Sequence, residues 1–272
     1  MGSMLEIMKK VRDEGDAPDP AVEGVVELMP EEAARGGPAA ADSRFTQSEP
    51  GAVSDLVAEA ASVAFPSTQE WDAKLIDPAV VAFHARYSVE CEQFRSVRAR
   101  LLSMNSGGDP CVLAITSSVP GEGKSTCTLN LGMVMAEGGE QRTLIVDADL
   151  RRASITRMLA LDGQSGLSDL LRGTGTVKQH VYPTPYENLK VLPAGAACGA
   201  GQSELLGSAR LRQVFAELRG AFDYVFVDMP PVSTVADASV LGPRCDAALL
   251  ILQMRRTPEP VAQQAVRTLQ AN

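Results

Sequence analysis

The residues with the clearest chemical capacity lie in Thr116-Ser117-Ser118-Val119-Pro120-Gly121-Glu122-Gly123-Lys124-Ser125-Thr126. Its glycines let backbone N–H groups turn inward on phosphate oxygens with no Cβ in the way. Lys124 supplies a cation long enough to reach the outer phosphates of a nucleotide, and the Ser125 hydroxyl is a Mg2+ ligand of the kind such loops offer. Pro120, Gly121, Glu122, Gly123, Lys124, Ser125 and Thr126 are therefore the expected phosphate-binding residues. The pattern G-x-x-x-x-G-K-[ST] is met except at its first position, where Ser118 stands in place of glycine. A second set of groups is acidic: Asp147 and Asp149 in Asp147-Ala148-Asp149-Leu150-Arg151-Arg152, and Asp228 in Asp228-Met229-Pro230-Pro231. An acid closing an apolar run beside a phosphate loop holds Mg2+ directly or through water, which gives Asp228 and Asp149, with Ser125, the metal role. Transfer of a phosphoryl group to a hydroxyl also needs a carboxylate to take the proton, and Asp147 is the candidate base. Arg151 and Arg152 either neutralise charge on a transferred phosphoryl group, which places Arg152 with the nucleotide, or pair with acids across a subunit contact, or are plain surface arginines.

These groups act together only if the chain carries them to one edge. The apolar run 111–115 is short enough for a buried strand, and 127–137 reads as a helix ending at Gly138-Gly139. Further apolar strands are expected at 143–146, 189–193, 224–227 and 247–252, with a glycine-bounded helical turn at 166–173 and an amphipathic helix at 208–220. Continuous rather than alternating apolar strands, separated by helices, indicate a parallel sheet covered on both faces. Ligands of such sheets sit beyond the carboxyl ends of the strands, where all three acids fall. The expected fold class is α/β, a P-loop NTPase-like, mostly parallel sheet with helices on both faces, preceded by a largely disordered N-terminal segment.

That segment, residues 1–70, is rich in Pro, Gly, Ala and acids, a bias that buries too little surface to offset the entropy of ordering. Short docking helices near 4–12 and 53–64 are the alternative to a solvated tail. In 71–108, Val89, Phe94, Val97 and Leu101 keep roughly helical spacing and are assigned to a core face, with Glu92, Arg95 and Arg98 on the remainder. The formal charge of −9 argues against a nucleic-acid binder, and five scattered Cys without CxxC spacing read as reduced thiols. Two distant His make a His-based triad or metal site improbable, and there is no run of about 18 apolar residues that would span a membrane.

Together these residues resemble the bacterial tyrosine kinases that regulate capsular and exopolysaccharide synthesis and export. Pro120-Gly121-Glu122-Gly123-Lys124-Ser125-Thr126 is similar to that family's Walker A loop, and Leu144-Ile145-Val146-Asp147-Ala148-Asp149-Leu150-Arg151-Arg152 to its second Walker motif. Phe222-Asp223-Tyr224-Val225-Phe226-Val227-Asp228-Met229-Pro230-Pro231 is similar to its Walker B strand. The turns at 166–173 and Ser203-Glu204-Leu205-Leu206, and the helix Glu92-Gln93-Phe94-Arg95-Ser96-Val97-Arg98, extend the likeness over residues 71–257. The resemblance implies an ATP- and Mg2+-dependent protein-tyrosine (auto)kinase in the cytoplasm, working at the inner face of the plasma membrane with a membrane-embedded polysaccharide co-polymerase. It also implies a homo-oligomeric ring in which Glu92, Arg95 and Arg98 dock on the neighbouring subunit. Residues 71–108 are then a helical oligomerisation segment and 109–272 the P-loop ATP-binding kinase domain. Three departures stand out. The family's C-terminal tyrosine cluster is not present, the tyrosines being Tyr87, Tyr182, Tyr186 and Tyr224. A strand expected after the helix at 262–269 is also missing, and both gaps are read as a truncated C-terminus. Gly201-Gln202 replaces an Asn-Pro pair before the Ser-Glu-Leu-Leu turn, which weakens an adenine contact there.

Two other functions fit parts of the pattern. A dimerising ATPase of the partition and septum-placement type shares the sheet and loop, but its extra early lysine is Val119 here, and Pro120 stands for a glycine. A module that binds ATP to control assembly without catalysis fits the shortage of tyrosines.

Overall fold

The computed structural model describes residues 71–196, 201–233 and 240–271, together with the backbone of residues 25–28. The helices anticipated near 4–12 and 53–64 lie outside the described residues. Five strands form a parallel core: β2 (Cys111–Ser117), β3 (Thr143–Asp147), β5 (Leu189–Leu192), β6 (Tyr224–Asp228) and β7 (Ala247–Ile251). Two short antiparallel edge strands, β1 (Val25–Leu28) and β4 (Tyr182–Pro183), complete the order β1-β7-β2-β6-β3-β5-β4. Neither edge strand is among those expected from the sequence, and β1 lies within residues 1–70, the expected N-terminal tail.

Alternate residues of each strand enter opposite cores, as the two-residue period requires. Leu113, Ile115, Ile145, Phe226, Leu249 and Ile251 face one layer. Val112, Ala114, Leu144, Val146, Val225 and Val227 face the other. On the first layer lie α1 (Val81–His84), α2 (Val89–Met104), α3 (Lys124–Ala136) and α4 (Ser154–Met158). On the second lie α5 (Leu167–Leu171) and α8 (Ala209–Ala221), flanked by α6 (Val177–His180) and α7 (Gln202–Leu206). The last helix, α9 (Glu259–Gln270), covers Val232 and Leu250 through Ala265 and Val266. No helix among the described residues is long and apolar enough to cross a membrane.

Helix α3 is buried along most of its length because α2 covers the side turned away from the sheet. It approaches β3 so closely that a Cβ on Gly132 would lie 2.5 Å from Ile145 Cδ1. The face of α2 differs from expectation in one residue. Val89 is 71% exposed, whereas Cys91 is fully buried. Cys91, Phe94 and Leu101 stand three and seven residues apart on one helical stripe, while Val89 lies five before Phe94 and so falls off it.

Helix α2 is bound to α3 by arginines. Arg95 donates to both carboxylate oxygens of Glu137 (2.7 and 2.9 Å), to Glu92 Oε1 (2.5 Å) and to the Arg86 carbonyl (2.6 Å). Arg98 donates to the Val134 carbonyl at 2.8 Å, satisfying an acceptor in the last turn of α3. Within one chain, the side chains assigned to a subunit contact thus grip the far end of the helix that begins at the phosphate loop.

Candidate active site

The loop between β2 and α3 takes its shape from two left-handed glycines, Gly121 (φ 87°) and Gly123 (φ 89°), a conformation that side-chain-bearing residues rarely adopt. Gly123 is also the N-cap of α3, so Lys124 and Ser125 occupy the first helical turn, whose N–H groups have no carbonyl partner inside the helix. Pro120 and Gly121 are exposed at the tip, and Thr126 is half-buried. Glu122 has a different task. Its side chain is buried, Oε2 accepts from Val119 N at 2.8 Å, and Oε1 accepts from the Thr257 hydroxyl. It ties the loop to the segment after β7 and leaves the phosphate contacts to N–H groups and Lys124, which suits an anion better than a second carboxylate would.

Strands β2, β6 and β3 end side by side, with Ile115 opposite Asp228 and Asp228 opposite Asp147. Three backbone bonds zip the chain after β6 to its neighbours: Met229 N to Ile115 O (2.9 Å), Val232 N to Ser117 O (2.8 Å), and Ala148 N to Asp228 O (3.0 Å). The Thr116 hydroxyl adds a further bond to the same segment, donating to Pro230 O at 2.7 Å. The three sequence motifs therefore meet at one rim.

At its centre the Lys124 ammonium lies 3.1 Å from Asp149 Oδ2 and 3.4 Å from Asp228 Oδ2. Ser125 Oγ donates to Asp228 Oδ2 at 2.6 Å and lies 3.2 Å from Lys124 Nζ. Burial opposes the charge on Lys124, but the Asp228 and Asp149 carboxylates outweigh it and raise its pKa. Asp228 is pushed up to about 6 by burial, with Lys124 and the Ser125 hydrogen bond working against the shift. Asp147, also fully buried, is pushed up to about 7 by burial and then by the Asp228 charge.

Asp147 is held from one side. Its Oδ2 accepts from the Thr156 N–H at 2.9 Å and the Thr156 hydroxyl at 2.7 Å, while Oδ1 has no hydrogen-bond partner. Thr156 Oγ1 in turn accepts from Ala194 N at 2.9 Å, which commits its one hydrogen to Asp147. The left-handed Ala153 (φ 45°) starts α4 so that the Thr156 N–H falls in its first turn, free of helical partners. Thr156 was absent from the sequence-based set. Its partners lie nine residues back and thirty-eight ahead, so no local motif marks it.

Arg152 is exposed, and its backbone N–H donates to Asp149 Oδ1 at 3.2 Å. Arg151 reaches Ser203 Oγ at 3.1 Å, outside the carboxylate cluster. The Arg152 N–H thus helps to shape the loop after β3.

These residues fit Mg2+ and a nucleotide phosphate chain. A hydroxyl and two carboxylates are hard oxygen donors of the kind Mg2+ takes alongside phosphate oxygens. The buried Ser118 Oγ and Asp147 Oδ1 both lack partners, and a buried polar atom of that kind is costly unless something completes it.

A protein-family model described as an AAA domain matches residues 111–264. The chain is 32% identical over 190 residues to the tyrosine-protein kinase YwqD of Bacillus subtilis, covering 70% of this chain and 79% of that one. It is 33% identical over 180 residues to the succinoglycan biosynthesis transport protein ExoP of Rhizobium meliloti, spanning 65% of this chain but 23% of ExoP. Among solved structures, the kinase domain of the Escherichia coli tyrosine kinase ETK superposes with a TM-score of 0.67 at 26% identity, covering 75% of this chain and 78% of that one.

Proposed function

Because the chain belongs to the bacterial tyrosine-kinase family, we propose that it transfers the γ-phosphoryl group of ATP to a protein tyrosine hydroxyl. The convergence of Lys124, Ser125, Asp149 and Asp228 within hydrogen-bonding and ion-pairing distance of one another at the rim carries this reading. Bound Mg2+ would neutralise phosphate charge, held by Ser125 and Asp228 with Asp149 beside them. The loop N–H groups from Gly121 to Thr126 cradle the phosphates, and Lys124 turns from the carboxylates to the β- and γ-phosphate oxygens. Asp147 Oδ1 accepts the tyrosine proton. The phenol oxygen bonds to the γ-phosphorus as the bond to the β–γ bridging oxygen breaks, and ADP leaves. A carboxylate whose pKa approaches neutrality suits a base working near pH 7.

The process served is the synthesis and export of exopolysaccharide or capsule, in partnership with a membrane-embedded co-polymerase at the cytoplasmic face of the membrane. The likeness to ExoP, a succinoglycan biosynthesis transport protein, supports this context. Assembly into a ring would use the Glu92, Arg95 and Arg98 side of α2. On this reading residues 71–108 serve assembly and 109–272 form the catalytic unit.

The test is phosphotyrosine formation from Mg-ATP by the wild type and by Lys124→Met and Asp147→Asn. Both variants are expected to lose at least a hundredfold of the activity. Labelling at the wild-type rate in both would remove the assignment.

A further inference from the structure

We propose that Thr257 is a positioning residue for the nucleotide's phosphates: through its hydroxyl bond to Glu122 it holds the phosphate loop in shape, so that affinity for the phosphate chain depends on the turn after β7. This rests on the reading of residues 118–126 as a nucleotide phosphate site and adds to it an element, outside the three rim loops, that sets the affinity of that site.

A loop built on two left-handed glycines loses more backbone entropy on ordering than one built on other residues. Packing does little to hold its tip. Pro120 and Gly121 are exposed, and a Cβ at Gly121 would meet nothing within 4 Å. Glu122, between the glycines, is by contrast 2% exposed. The bond from Val119 N to Glu122 Oε2 closes the loop on itself, since its ends are three residues apart. The bond from the Thr257 hydroxyl to Oε1 is of another kind, because it joins residues 135 apart in sequence. It anchors the loop to the body of the protein.

The turn that carries Thr257 is itself held in place. Strand β7 runs beside β2 with Ile251 opposite Ser117, so residues 253–257 leave the sheet next to the phosphate loop. Arg256 N and Thr257 N both donate to Gln253 O, at 3.1 and 2.9 Å. Between them and Gln253, Arg255 takes left-handed backbone (φ 64°), which a residue with a side chain adopts at a cost its surroundings must enforce. Gln253 N donates to Thr257 Oγ1 at 3.2 Å, which leaves the one hydroxyl hydrogen for Glu122. The next residue, Pro258, is the N-cap of α9, whose Ala265 and Val266 pack on Leu250 of β7. Contacts therefore run from α9 through Thr257 and Glu122 to Val119 and the glycines. Removing the hydroxyl leaves the buried Glu122 carboxylate short of a donor, a loss the loop can relieve only by moving. Coupling of this kind is reciprocal: phosphate bound in the loop steadies the turn as the turn steadies the loop.

The experiment measures binding of ATP and of inorganic tripolyphosphate, each with Mg2+, to the full-length chain by calorimetry. Thr257→Val keeps the side-chain shape without the hydroxyl, and Thr257→Ser keeps the hydroxyl. Thr257→Val should weaken both ligands by the same factor, on the order of tenfold, while Thr257→Ser stays within about twofold of wild type. Glu122→Ala combined with Thr257→Val should bind no more weakly than Glu122→Ala by itself, because the second change removes a bond already lost. Tripolyphosphate should slow amide hydrogen exchange at residues 253–257 in the wild type but not in Thr257→Val. Four results overturn the proposal: unchanged affinity in Thr257→Val, a loss confined to ATP, multiplying effects in the double variant, or wild-type exchange at 253–257 that tripolyphosphate does not slow. In each of these the wild type still binds phosphate, and the nucleotide site stands. Failure of the wild type to bind either ligand rejects the site and the proposal together.

Discussion

Two residues of the rim make the folded protein sensitive to pH in a definite direction. Asp147 and Asp228 are ionised in the unfolded chain above about pH 4, but burial raises them to about 7 and about 6 in the fold. A carboxyl with a raised folded pKa contributes stability that is fully present below its unfolded pKa and is lost as pH climbs through the folded one. Lys124 is raised as well and stays charged throughout. The nucleotide-free protein is therefore expected to melt at a higher temperature at pH 5.5 than at pH 8, and Asp147→Asn should shrink the difference. A second outcome at this scale concerns Thr156. Replacing it with Val removes the hydroxyl that fixes Asp147 Oδ2 and should lower kcat about 10- to 100-fold with KM for ATP unchanged, while Thr156→Ser should restore it. Steady-state kinetics decide between that pattern and a fall in binding. Lys124, Asp147, Asp149 and Asp228 were legible in the sequence because each sits in a short motif at a strand end. Thr156 was not, because what it holds is set by β5 and β3 meeting in space.

Among the elements, the packing of α3 against β3 gives the sharpest test. Alanine at position 132 gains about 1 kcal/mol of helix propensity over glycine. Its Cβ, however, would sit 2.5 and 2.7 Å from the Cδ1 and Cγ1 of Ile145, which is fully buried and has nowhere to go. Overpacking of that kind costs about 1–3 kcal/mol, so Gly132→Ala should lower the urea midpoint rather than raise it. Strands β2, β3, β6 and β7 could be read from their continuous apolar runs, since both faces of each are covered. The two edge strands could not: β4 has two residues and β1 four, too few to show a period, and their pairing is dictated by the neighbour. The stripe of α2 was misplaced at Val89 for a related reason: an apolar residue in the first turn of a helix satisfies a loose spacing rule without lying over the core.

Across the whole molecule, charge and architecture divide. Residues 1–70 hold fourteen acidic and five basic side chains, whereas the remainder is balanced at twenty of each, so the net charge of −9 belongs to the N-terminal stretch. Attraction for a nucleotide must then arise at the rim itself, from Lys124 and the inward N–H groups, and not from the overall field. The parallel sheet makes that possible because it brings three loops, spread over more than a hundred residues of sequence, to neighbouring strand ends. Titration calorimetry of ATP into the protein with and without Mg2+, repeated on Lys124→Met, tests this directly. The expected result is one site per chain whose affinity falls at least tenfold when Mg2+ is withheld or Lys124 is replaced. Undiminished binding under both changes would show that the nucleotide does not lie among these three loops.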